Sequence, residues 1–139
     1  MNISNLRVDQ REFMVAELCN KIIIDSIEGE TQDSSVIEAI LWHLPLPAFY
    51  GYYDDKDSLH LVTGNRIFAS IENYIDNKYP ITFETMLDMG NSIYFKDLEL
   101  IFKRRIRERY LVINKFESFD KEVFEYLKRT LKHVVSLSL

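Results

Sequence analysis

The sequence has little of what would build a staple, a linker or a membrane span. Cys19 is its only cysteine, so no intramolecular disulfide and no thiolate cluster for zinc can form within the chain, and a reducing compartment is the natural expectation. Four glycines and three prolines in 139 residues leave no room for a low-complexity linker. Residues Met1 to Arg11 are too polar for a secretory signal, and no later apolar run approaches the roughly 18 residues of a membrane span. These absences predict a cytoplasmic protein with no membrane partner. The chain also lacks a positive excess: its net charge of -5 repels phosphate backbones, so a nucleic-acid contact would need a local basic patch.

What is present suits one globular domain over residues 1–139. A hydrophobic fraction of 47% and a charged fraction of 28% are ordinary for a chain long enough to bury one core. Residues 1–20 fit a short helix or a strand about equally and are assigned to helix. Lys21 to Asp25 holds three consecutive isoleucines and reads as a buried strand. A helix follows from Ser35, whose hydroxyl can cap it while Glu38 reaches back, with Val36, Ile37, Ile40, Leu41 and Leu44 on one face. Pro45 and Pro47 end it and hand the chain to a strand, Ala48 to Tyr53. Asp54-Asp55-Lys56-Asp57 makes a polar turn and Ser58 to Val62 returns, the pattern of a β-hairpin.

After the break at Thr63-Gly64-Asn65, Ile67, Phe68, Ile71, Tyr74 and Ile75 repeat at helical spacing. Ile81 to Gly90 reads as a helical or irregular connection. Leu98, Ile101, Phe102 and Ile106 mark a further helix, Tyr110 to Asn114 a strand, and Val123, Leu127, Leu131 and Val134 a last helix. Strands and helices alternate without a repeat, which predicts a mixed α+β fold: a small mixed sheet with a β-hairpin and packed helices.

The run from Ser35 to Tyr50, Ser-Val-Ile-Glu-Ala-Ile-Leu-Trp-His-Leu-Pro-Leu-Pro-Ala-Phe-Tyr, resembles a segment of the ParB-like N-terminal domain of the GmrSD-type restriction family. In that family a leucine-isoleucine-glutamate helix is followed by a Pro-x-Pro-x-Phe-Tyr strand, then a turn, a strand and an Asp-Gly-Gln-Gln-Arg signature that opens the next helix. The corresponding turn here is Thr63-Gly64-Asn65-Arg66, which is also similar to the Gly-x-Arg-Arg turn of ParB proteins. Phe95 to Leu98 with Arg104-Arg105-Ile106, and Glu122 to Arg129, are similar to later helices of the family. The likeness runs from Ile22 to Leu139, and its most distinctive part is the Pro-x-Pro segment. It implies a ParB/sulfiredoxin-like domain and the nucleotide binding and hydrolysis associated with the signature turn. Larger relatives carry a helical region and often a His-Asn-His nuclease domain, for which 139 residues leave no room, so the resemblance implies a truncated form.

The family's chemistry is physically sensible, because a glycine admits close backbone approach, helix amides favour an anion and arginine completes a phosphate site. Here the signature is degraded. Thr63 replaces the aspartate that could act as a base or hold magnesium. Ile67 falls at the family's arginine, and Arg66, one residue early, is turned by about 100° on a helix. The family's Tyr-Gln-Arg motif should lie within Asp25 to Asp33, where this chain instead places Glu28 and Glu30. These losses favour a noncatalytic binding or regulatory module, related to restriction and phage-defence proteins, that keeps the scaffold for binding a protein partner, itself or a nucleotide without turnover, and that needs no cofactor. A divergent nucleotide-hydrolysing or nuclease enzyme, with Arg66, Asn65 and Glu28 or Asp25 in the lost roles and a nucleotide with magnesium as ligand, is the alternative. A truncated remnant that self-associates is another.

Lys103, Arg104, Arg105, Arg107 and Arg109 form one dense basic cluster that could meet an acidic partner or a nucleic acid. At i,i+4 spacing Glu99 can pair with Lys103 and Arg104 with Glu108, so a self-neutralising exposed face is the reading favoured. Asp54, Asp55 and Asp57 are better explained by a hairpin turn than by a metal, and His43, His60 and His133 sit on no motif. Phe49, Tyr50, Tyr52 and Tyr53 occupy both faces of one strand and suggest packing rather than base stacking.

Overall fold

The computed structural model describes residues 6–24, 31–82, 92–117 and 121–137. Its main sheet has five strands, β1 (Arg7–Met14), β2 (Ile22–Ile24), β3 (Phe49–Tyr53), β4 (Leu59–Leu61) and β7 (Tyr110–Glu117), in the order β1-β7-β3-β4-β2. β1 runs antiparallel to β7 and β3 antiparallel to β4, whereas β3 lies parallel to β7 and β2 parallel to β4. A separate two-stranded ladder joins β5 (Ile81–Thr82) to β6 (Ser92–Ile93). The fold is mixed α+β, as the alternation of elements predicts.

Side chains alternate across a strand, and here the alternation sorts the helices. Phe49, Leu59, Leu61, Leu111 and Ile113 point to one face, where they form a single core with Val15 and Leu18 of α1 (Val15–Leu18), Val36, Ile37, Ile40 and Leu41 of α2 (Ser34–Leu41), Phe68, Ile71 and Tyr74 of α3 (Asn65–Ile75) and Ile106 of α4 (Leu100–Arg107). Tyr52, His60 and Phe116 point to the other face. There α5 (Lys121–Leu137) lays Phe124 against Tyr52 and Phe116, at ring-centroid distances of 5.6 and 5.5 Å. Val123 of the same helix is fully buried.

Several local expectations change. Residues 7–14 form a strand rather than a helix, because β7 offers a full antiparallel partner from Tyr110 to Glu117. β7 is correspondingly longer than Tyr110 to Asn114. The cap of α2 is Asp33, whose Oδ1 accepts the backbone N–H of Ser35 at 3.0 Å, and Ser35 is a helical residue. α2 also stops before the predicted last apolar position: Trp42 ends it, His43 takes a left-handed φ of 58°, and Leu44 turns out to solvent. Ile81 begins a strand, not a helix, and the rest of that connection, residues 83–91, lies outside the described residues.

Candidate functional site

The turn from β4 into α3 is where the resemblance places its phosphate site. Its geometry is set by β3. The backbone N–H of Val62 donates to the carbonyl oxygen of Tyr50 at 2.8 Å, and the N–H of Tyr50 donates back to Oγ1 of Thr63 at 2.9 Å. Thr63 is therefore buried and its hydroxyl serves as an acceptor for the strand. Gly64 follows in the left-handed region at φ 83°, the conformation for which glycine lacks a penalty. A side chain there would collide with the ring of Phe49, which packs directly over the glycine and is itself buried. Asn65 and Arg66 then open α3, with Arg66 exposed, and the N–H of Phe68 closes the first turn on the Gly64 carbonyl at 2.9 Å.

The four residues of this turn are thus brought together, and a helix N-terminus faces outward beside an arginine, an arrangement that favours an anion. The position corresponding to the family's carboxylate, in contrast, is turned into the sheet as a neutral hydroxyl. The acids proposed to substitute for it, Asp25 and Glu28, lie outside the described residues, as does Glu30.

The basic cluster does not form the self-neutralising helix face expected of it. Among the described residues neither Glu99–Lys103 nor Arg104–Glu108 forms an ion pair, whereas Arg11 and Lys115 pair with Asp9 and Lys128 with Glu125. Instead two arginines reach across to the end of α2. Nη1 of Arg105 donates to the carbonyl oxygen of Leu41 at 3.4 Å, and Nη2 of Arg109 donates to that of Leu44 at 2.7 Å. The Arg105 bond reaches a carbonyl that the helix terminus leaves without an intrahelical partner, the Arg109 bond reaches the segment just beyond it, and both bring positive charge near the negative end of α2. The guanidinium of Arg105 also stacks over Phe102 at 5.5 Å. Arg104 and Arg107 remain exposed, and Lys103 is half-buried.

The aspartate turn proves to be a hairpin device. Oδ1 of Asp54 accepts the N–H groups of Lys56 at 2.8 Å and Ser58 at 3.0 Å, while Oδ2 meets Nε2 of His60 at 2.7 Å. The Ser58 amide, then the His60 ring, hold the Asp54 carboxyl below its usual range. No group of three or more histidine, cysteine, aspartate or glutamate side chains placed to hold a metal occurs among the described residues. His60 is the residue that sequence reasoning undervalued. It lies across the hairpin from Asp54 and stacks on Tyr52 at 4.8 Å with the rings 8° apart. Nζ of Lys128 lies 4.8 Å from the Tyr52 ring. Tyr52 is thereby committed to packing, as its strand context suggests, and offers no open platform for a base.

Cys19 is a free, half-buried thiol whose surroundings disfavour the thiolate. Burial, then the nearby Glu72 and Asp76 carboxylates, push its thiol up to about 11. An open groove of about 480 Å³ runs along Arg7, Val8, Asp9, Tyr53, Lys115, Phe116 and Glu117, away from both the turn and the basic cluster in its lining. Comparisons with protein-family models, with curated proteins and with solved structures find no match to this chain. No helix among the described residues is long and apolar enough to cross a membrane.

Proposed function

We propose that this chain is a noncatalytic binding module of the ParB-like kind, a degenerate relative of the N-terminal domain of GmrSD-type restriction proteins that binds a protein partner or a second copy of itself. The observation that carries the reading is the state of the turn at Thr63-Gly64. The residue standing where the resemblance calls for a carboxylate is a buried threonine whose Oγ1 accepts the Tyr50 amide, and Phe49 closes the space over the glycine. A phosphoryl-transfer site needs a carboxylate or metal to position its nucleophile and open space for the phosphate. The first requirement is opposed here by packing within the chain itself, which turns a neutral hydroxyl into the sheet at that position.

The reading is tested by following thermal unfolding and inorganic phosphate release with the common nucleoside triphosphates, with and without magnesium. The expected result is no hydrolysis and no shift in Tm, since only a ligand that favours the native state raises it. Magnesium-dependent hydrolysis that disappears in Arg66→Ala would overturn the reading in favour of a divergent enzyme.

A further inference from the structure

β1 has β7 on one side, and no described strand lies on its other side. It pairs with β7 in one unbroken antiparallel register, Arg7 opposite Glu117 through Met14 opposite Tyr110. The N–H of Val15 continues that register by donating to the Arg109 carbonyl at 2.8 Å. Opposed residues in an antiparallel ladder alternate between bonded and non-bonded pairs, so Phe13, Arg11, Asp9 and Arg7 turn their N–H and C=O toward β7. Met14, Glu12, Gln10 and Val8 therefore turn theirs outward. Oε1 of Glu17 accepts the Met14 amide at 3.1 Å, which leaves the backbone of Glu12, Gln10 and Val8 to form the outer edge, where the strand is exposed.

We propose that two copies of the chain join antiparallel along β1, about a two-fold axis at Gln10, so that their five-stranded sheets become one; the proposal rests on the reading of the chain as a binding module and names a second copy as its partner. An axis perpendicular to the sheet must pass through a residue whose backbone faces outward. At Glu12 it would bring two carboxylates together, and at Val8 only Arg7 to Asp9 of the strand would overlap. At Gln10 the overlap runs from Arg7 to Phe13. Gln10 then bonds its own counterpart, Val8 bonds Glu12 of the second copy, and all three outward residues are satisfied. In the same register Asp9 stands opposite Arg11 of the second copy, on both sides of the axis. These are non-bonded positions, where opposed side chains come closest and opposite charges attract. Within one copy Asp9 already accepts from Nε of Arg11 at 3.1 Å, so the four charges alternate in sign around the axis on one face. Charge on an edge strand ordinarily discourages pairing. Here its order makes the edge complementary to itself in a single register.

Sedimentation equilibrium of the full chain is expected to show a monomer–dimer equilibrium. Asp9→Arg and Arg11→Asp each set like charges opposite one another and are expected to raise the dissociation constant about tenfold. An equimolar mixture of the two variants should dimerise again, because a chain with arginine at both positions meets a chain with aspartate at both. Gln10→Pro removes an outward N–H that β7 does not use, a change edge strands tolerate, and is expected to abolish the dimer. Retention of the native circular dichroism spectrum by the variants separates lost pairing from lost folding. A single monomer mass at every concentration, a dimer indifferent to these substitutions, or no recovery in the mixture would each overturn the proposal. Absence of the dimer with no nucleotide hydrolysis leaves the module reading standing with a different protein as partner, whereas hydrolysis removes that reading whatever the mass does.

Discussion

Arg109 and Leu44 are 65 residues apart in the chain, yet the guanidinium of one donates to the backbone carbonyl of the other at 2.7 Å. The bond ties the exit of α4 to the segment that leaves α2, just before Pro45 and Pro47 direct the chain into β3. Replacing Arg109 with methionine keeps most of the stem and removes the donor. Because the site is exposed and water can take over part of the bond, the expected loss is modest, about 0.5–1.5 kcal/mol, with lysine restoring some of it. Urea denaturation of the two variants measures the difference.

Gly64 and Phe49 form a coupled pair. Gly64→Ala should destabilise the fold by about 2–4 kcal/mol, through the left-handed φ and through overlap with the Phe49 ring. Introducing Phe49→Leu beside it should cost less than the sum of the two single changes, because the smaller side chain relieves the overlap. A double-mutant cycle by thermal or urea unfolding reads the coupling, and strict additivity would show that the ring does not constrain the turn.

Thr63→Val preserves shape and deletes the acceptor of the Tyr50 amide, which predicts a loss of about 1–3 kcal/mol. Thr63→Asp puts back the carboxylate of the related signature. It is expected to destabilise the fold by burying charge without creating hydrolysis, and parallel unfolding and phosphate-release assays check both halves.

The Asp54 carboxyl titrates below its usual range because the Ser58 amide and the His60 ring favour its charged form. A depressed folded-state value means that its contribution is present above the unfolded-state value and is lost as pH falls through the folded one. Stability should therefore fall with acidification below the ordinary aspartate range, and Asp54→Asn should flatten that part of the profile. Unfolding midpoints of both proteins across acidic pH provide the comparison.

What the sequence discloses is what its own neighbours decide. The hairpin of β3 and β4 is legible because Asp54 to Asp57 sit between two apolar runs, and α3 because its apolar residues repeat at helical spacing. β1 is not legible. It is an edge strand with Arg7 to Glu12 exposed, so no buried face imprints an alternation, and its pairing is fixed by backbone bonds to a distant strand. The candidate site divides in the same way. Thr63 to Arg66 can be found as a contiguous turn, but the ring that fills its space comes from another strand. The two arginine bonds to α2 are likewise invisible in a cluster that looks, by local spacing alone, like an ordinary solvated helix face.

The strand order carries a consequence for how the chain assembles during synthesis. The partner of β1, the first strand described, is β7, with Arg7 opposite Glu117, so β1 must wait until nearly the whole domain has been translated. β3 can pair with β4 at once, but its other edge stays open until β7 arrives. The ribosome thus releases a hairpin with attached helices well before it releases a sheet, and closure of the longest loop sets the pace of the final step. During that interval the nascent chain shows an unpaired β3 edge to its surroundings, the condition under which a holding chaperone has most to protect.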